Sequence, residues 1–170
     1  MKALILGGAR SGKSQYAENL AIKSGKQCVY IATGQAHDDE MAERIRMHQV
    51  ARGDQWMVQE APIELAAAIQ QNNHKNTAIL VDCLTLWMSN CMASDCLAEQ
   101  KKALLAILPT LHCDIYLVSN EVGSGVVPLG KLSRQFVDES GWLHQTLAQL
   151  CERVNLVVAG LPLNLKGGID

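Results

Sequence analysis

The apolar run Ala3-Leu4-Ile5-Leu6 passes directly into Gly7-Gly8-Ala9-Arg10-Ser11-Gly12-Lys13-Ser14. The second stretch is G-x-x-x-x-G-K-[ST] in full. Residues 2–6 are short, apolar and stopped by glycine, which reads as a buried strand. Residues 13–24 carry helix formers and stop near Gly25. A strand that turns through glycines into a helix limits this chain more than any other feature. The glycines let the backbone curl so that several N–H groups point inward, and the helix start adds its positive end. Such a loop holds phosphate. Lys13 is placed to reach outer phosphates, and the Ser14 hydroxyl to bind Mg²⁺. Arg10 can touch phosphate or point to solvent.

The rest of the chain alternates in the same way. Strands are expected at Gln27–Thr33, Trp56–Gln59, Thr77–Cys83, Cys113–Ser119 and Asn155–Ala159, with a last, antiparallel one near Leu163–Lys166. Helices are expected over Asp38–Arg52, from Pro62 to about Gln71, over Leu84–Met92, over Leu97–Leu108 and over Leu132–Arg153. Gly141 weakens the middle of the last helix. This order predicts an α/β fold, a mostly parallel sheet with helices on both faces and an antiparallel C-terminal edge strand. Ligands of such sheets bind at the carboxyl ends of the strands. With no repeat, linker or low-complexity stretch, residues 1–170 read as a single nucleotide-binding catalytic domain.

Composition closes several classes. Fifteen basic residues against 17 acidic ones leave a net charge of −2, so no nucleic-acid partner is expected. No apolar run approaches the roughly 20 residues that span a bilayer. The six cysteines include no C-x-x-C pair, which argues against a zinc or redox motif. Several of them sit in apolar runs as small hydrophobes, and a reducing, cytoplasmic setting is expected.

A phosphate loop of this kind usually works with an acid at the end of another core strand. Asp82, closing Ala78-Ile79-Leu80-Val81-Asp82, fits as a Mg²⁺ ligand, or as a cap of the helix that follows. Glu121, just after the fourth long strand, faces the active edge and can meet metal, substrate or its own loop.

Four further stretches narrow the substrate: "YIATGQAHDDEMAERIRMHQVAR" (30–52), "VQEAP" (58–62), "LVDCLTLWMSN" (80–90), and "VSNEVGSGVVP" (118–128) with "LSRQFVDESG" (132–141). Together they resemble the bifunctional adenosylcobinamide kinase / adenosylcobinamide-phosphate guanylyltransferase family of cobalamin biosynthesis, nearly end to end. The resemblance implies a P-loop NTPase of RecA-like fold and a homotrimer. It implies two reactions: phosphorylation of adenosylcobinamide with ATP or GTP, then transfer of GMP from GTP to that phosphate through a GMP–histidine intermediate. The family's histidine falls on His48, in Arg44-Ile45-Arg46-Met47-His48. The implied nucleotide contacts fall on Gly7, Gly8, Ala9, Arg10, Ser11, Gly12, Lys13 and Ser14 of the loop. They also fall on Ala32, Thr33 and Gly34, on Gln49, Val50, Ala51 and Arg52, and on Glu60 and Asp82. Glu60 reads equally as a solvated residue before Pro62. The chain departs from the family at Trp142-Leu143-His144-Gln145, where Arg-Val-Asn-Gln or close to it is usual.

On a helix, Met41, Arg44, Ile45, His48 and Arg52 share one face, so an arginine can neutralise phosphate beside the imidazole. A neutral imidazole can attack the α-phosphorus. From the residues alone His48 reads rather as a solvated or capping histidine, and it is the resemblance that makes it catalytic. Two other readings stay open: a monofunctional small-molecule kinase with His48 a spectator, and a GTP-driven switch. The N-K-x-D signature of regulatory GTPases is absent.

Overall fold

A computed structural model describes residues 1–34 and 56–168. The strands are β1 (Lys2–Gly7), β2 (Gln27–Ala32), β3 (Trp56–Glu60), β4 (Thr77–Asp82), β5 (Asp114–Asn120), β6 (Arg153–Val158) and β7 (Leu161–Lys166). The described helices are α1 (Lys13–Lys23), α2 (Leu65–Gln71), α3 (Leu84–Ala93), α4 (Leu97–Ile107) and α5 (Lys131–Leu150). The strands form one sheet in the order β3-β2-β4-β5-β1-β6-β7. Every neighbouring pair is parallel except β6 and β7.

Alternation along the strands sorts the core onto the two faces. Leu4, Val29, Ile31, Ile79, Val81, Ile115 and Leu117 pack with α2, α3, α4 and α5. Ala3, Ile5, Tyr30, Leu80, Tyr116 and Val118 pack on the other face with Ala17, Leu20 and Ala21 of α1. Side chains buried on both faces explain why these strands read as continuous apolar runs rather than alternating ones. All six cysteines are free thiols, and five are buried. Burial pushes the Cys91 thiol up to about 12, which keeps it protonated and apolar.

The expected helix over Asp38–Arg52 lies outside the described residues. Besides shifts of a residue or two at strand ends, the edges of three elements differ from expectation. Pro62 does not open α2, which starts at Leu65. The carbonyls of Pro62 and Ile63 instead accept bonds from Asn90 Nδ2 (3.1 Å) and Trp87 Nε1 (2.8 Å) on α3. The last helix ends at Leu150, because Arg153 already pairs with Ala3 in the sheet. Lys166 Nζ donates to the carbonyls of Ala148 (2.8 Å), Gln149 (3.1 Å) and Cys151 (2.7 Å), closing the end of α5 from β7. Pro162 belongs to β7, opposite Val157. It is tolerated there because β7 is an edge strand. Gly141 does not interrupt α5.

Candidate active site

The phosphate loop hangs between β1 and α1 at the middle of the sheet, with β5 on one side and β6 on the other. Its curl depends on two glycines. A methyl group on Gly7 would lie 2.4 Å from Ser11 Oγ and 2.6 Å from the Val157 carbonyl, so only glycine fits. Gly12 has φ +92°, and its added carbon would lie 3.0 Å from the Gly160 Cα. The left-handed backbone and the close approach of a second chain segment both demand glycine. Three backbone bonds hold the loop: Ser11 N–H to Gly8 O (3.3 Å), Gly160 N–H to Ser11 O (2.8 Å) and Glu121 N–H to Gly7 O (3.1 Å). Gly160 and Glu121 thus anchor the loop from the two neighbouring strand ends. Nothing local in the sequence marks Gly160 as an anchor, because its partner is 149 positions away in the chain yet adjacent in the sheet.

Lys13 is buried, 8% exposed, and its Nζ donates to the Gly8 carbonyl at 3.0 Å. Among the described residues no carboxylate pairs with it. A buried ammonium that meets a carbonyl rather than a carboxylate is a cation ready for an anionic ligand. Ser14 is half-buried on the first turn of α1, while Gly8, Ala9 and Arg10 are exposed. Arg10 also adopts a left-handed φ of 53°. Ser11 Oγ is buried without a hydrogen-bond partner among the described residues.

Register brings the other predicted residues to the same edge. Ala32 pairs with Glu60 on one side and Asp82 on the other, and Asp82 pairs with Val118. Gly7 pairs with Asn120 and Val157. Glu60, Ala32, Asp82, Asn120 and Gly7 therefore all stand at carboxyl strand ends. With β5 between β4 and β1, Asp82 is two strand spacings from the loop, about 9–10 Å. Asp82 is half-buried, directly before Cys83, the N-cap residue of α3, whose own side chain makes no cap bond. Glu60 is exposed and Gly34 half-buried.

Thr33 is fully buried, and its polar groups are engaged within the protein. Its hydroxyl donates to the Cys83 carbonyl (2.7 Å) and accepts from the Cys83 N–H (2.8 Å). Its N–H donates to Asp82 O (3.3 Å), and its carbonyl accepts from Asn90 Nδ2 (2.8 Å). Thr33 thus locks the end of β2 to the residue after Asp82. Glu121 Oε1 accepts from the Gly123 N–H at 2.7 Å, the loop-capping option among those open to it. His48, Gln49, Val50, Ala51 and Arg52 lie outside the described residues.

The family model for cobinamide kinase / cobinamide phosphate guanyltransferase matches residues 3–165. The chain belongs to this family. It is 53% identical to the bifunctional adenosylcobalamin biosynthesis protein CobP of Pseudomonas aeruginosa, covering 98% of both chains. It is 35% identical to the bifunctional adenosylcobalamin biosynthesis protein CobU of Escherichia coli K12, covering 98% of this chain and all of that one. Among solved structures, a protein from Pyrococcus horikoshii OT3 aligns at TM-score 0.60 with 10% identity, covering 99% of this chain and 87% of that one. That likeness concerns the fold alone. The parallel sheet and antiparallel final strand, with the phosphate loop after β1, make this cobinamide kinase family member a P-loop NTPase of RecA-like architecture.

Proposed function

We propose that this chain performs both reactions named for its family at the one sheet edge just described, in a single domain over residues 1–170. It phosphorylates adenosylcobinamide with ATP or GTP, then joins GMP to the product. The observation that carries the reading is the buried Lys13 ammonium, which among the described residues is paired with a carbonyl and no carboxylate, inside a loop that demands glycine.

In the first reaction the loop N–H groups hold the nucleotide phosphates. Lys13 leaves the Gly8 carbonyl for the outer phosphate. The substrate hydroxyl attacks the γ-phosphorus, a P–O bond forms, and the bridging P–O bond breaks to leave the nucleoside diphosphate. Thr33 holds the Asp82 end of β4 in place, and Ala32 and Gly34 offer backbone groups to the nucleotide.

Mg²⁺ fits the donor set. Ser14 and Asp82 supply hard oxygen ligands, and no group of three or more His, Cys, Asp or Glu forms a cage among the described residues. This ion characteristically keeps waters and takes one or two carboxylates beside substrate phosphates. When bound, it neutralises charge that develops on the phosphates.

In the second reaction His48 attacks the α-phosphorus of GTP, forming a P–N bond and releasing pyrophosphate. A phosphate oxygen of adenosylcobinamide phosphate then attacks the same phosphorus. The P–N bond breaks, adenosylcobinamide-GDP leaves, and His48 is restored. The Arg44-to-His48 segment of the resemblance supports this step, with Gln49, Val50, Ala51, Arg52 and Glu60 contributing nucleotide contacts. The working assembly is a homotrimer in the cytoplasm.

The test is purified protein with cobinamide, GTP and Mg²⁺, resolving products by mass. A phosphorylated and then a GDP-linked product are expected. Phosphorylation alone would reduce the chain to a kinase, and nucleotide hydrolysis without any transfer would overturn both assignments.

A further inference from the structure

A partly buried hydrogen-bond chain runs from α5 to the phosphate loop. His144 on α5 places Nε2 2.8 Å from Ser119 Oγ on β5. Ser119 Oγ is 3.4 Å from Thr85 Oγ1 on α3. Thr85 Oγ1 accepts the N–H of Asn120 at 2.7 Å. The next N–H, that of Glu121, donates to Gly7 O at the base of the loop. Three elements that share no local sequence are thereby tied to the first glycine of the nucleotide site.

The two hydroxyls and the imidazole can each donate or accept, so the chain can be satisfied in either sense. In one sense Thr85, which accepts from Asn120, donates to Ser119, and Ser119 donates to His144 Nε2. A neutral imidazole accepting at Nε2 closes the chain in that sense. Burial lowers the pKa of His144, with the charge of Glu121 opposing, so the neutral form is the one favoured by the packing. Ser119 is fully buried, so it makes no substrate contact of its own.

We propose that His144 is a positioning residue for the reactions at the phosphate loop: through Ser119 and Thr85 it holds the Asn120–Glu121 strand end against Gly7. This rests on the functional reading above. The loop keeps its separate anchors at Gly160 and within itself, so nucleotide affinity survives loss of the chain while alignment of the strand end does not. Gln in place of His144 carries a polar atom near the reach of Nε2, whereas Ala carries none.

The test compares wild type with His144→Ala, His144→Gln, Ser119→Ala and the His144→Ala/Ser119→Ala double variant, all as full chains. For cobinamide phosphorylation, His144→Ala should lower kcat about tenfold, the scale of one lost structural hydrogen bond, with KM for GTP within about twofold. His144→Gln should recover most of the loss. The double variant should be no worse than the poorer single one, because both cut the same chain. Hydrogen exchange at Asn120 and Glu121 should quicken in His144→Ala and return toward wild type in His144→Gln. Unchanged exchange in His144→Ala refutes the coupling, even if wild type transfers no phosphate and the functional reading fails. Faster exchange with unchanged kcat, additive loss in the double variant, or no recovery with Gln refutes the positioning role while leaving the functional reading intact.

Discussion

Replacing Thr33 by valine separates a structural role for this residue from a direct nucleotide contact. The two side chains have nearly the same shape, so the change removes a hydroxyl without opening a cavity. Thr33 is 0% exposed, and no water can replace what is lost. The Cys83 carbonyl keeps the helical bond from the Trp87 N–H at 3.2 Å. The Cys83 N–H loses its 2.8 Å partner and is left in a buried site. One orphaned buried donor costs about 1–3 kcal/mol, and the second lost bond about 1 kcal/mol. The sum is a loss of about 2–4 kcal/mol of folding stability, measured by urea denaturation with m-values compared. Thr33→Ser keeps the hydroxyl and loses one methyl, so it should cost only about 1 kcal/mol. Because the orphaned group follows Asp82, kcat should fall as well. If Thr33→Val unfolds within about 0.5 kcal/mol of wild type and only raises KM for GTP, the reasoning is wrong and Thr33 is a ligand contact.

Lys13→Ala should cut both transfers by roughly 10² or more, since it removes the buried cation from the transferring phosphate; turnover within threefold of wild type would remove Lys13 from the mechanism. His48→Asn should abolish GMP transfer and spare phosphorylation, and α-labelled GTP should leave one acid-labile, base-stable GMP per wild-type chain on the His48 peptide; label elsewhere sinks the covalent step. The folded pKa of His144 lies below its ordinary 6.5, so in the window between them the unfolded chain binds more protons and stability falls as pH drops from 6.5. His144→Gln should flatten that part of the curve, and an unchanged difference from wild type between pH 7 and pH 5 would contradict it. Burial works against the Asp114 charge, but bonds from Lys26 and the Met1 ammonium outweigh it and hold its pKa below 3.8, so its contribution is lost only at more acid pH. Light scattering should return three times the 18.5 kDa chain mass, and a fully active monomer would refute the trimer.

The phosphate loop was legible in the sequence because everything it needs is contiguous. Eight residues set the curl, the cation and the helix start, and their spacing alone carries the geometry. The alternation of apolar strands with helices was legible for a similar reason, since each element's own pattern shows how it is buried. The position of Asp82 at a strand end was legible too, and the sheet order sets that end beside Ala32 of β2. What the tertiary structure decided are the contacts between segments far apart in the chain. Thr33 meets Cys83 across 50 positions, His144 meets Ser119 across 25, and Gly160 meets Ser11 only because β6 lies beside β1. The end of α5 could not be read from its own residues, because the ammonium that closes it arrives from Lys166 on another strand. Sequence patterns record whether a side chain is buried, but a hydrogen-bond partner is chosen by strand order and register, and those exist only once the sheet has formed.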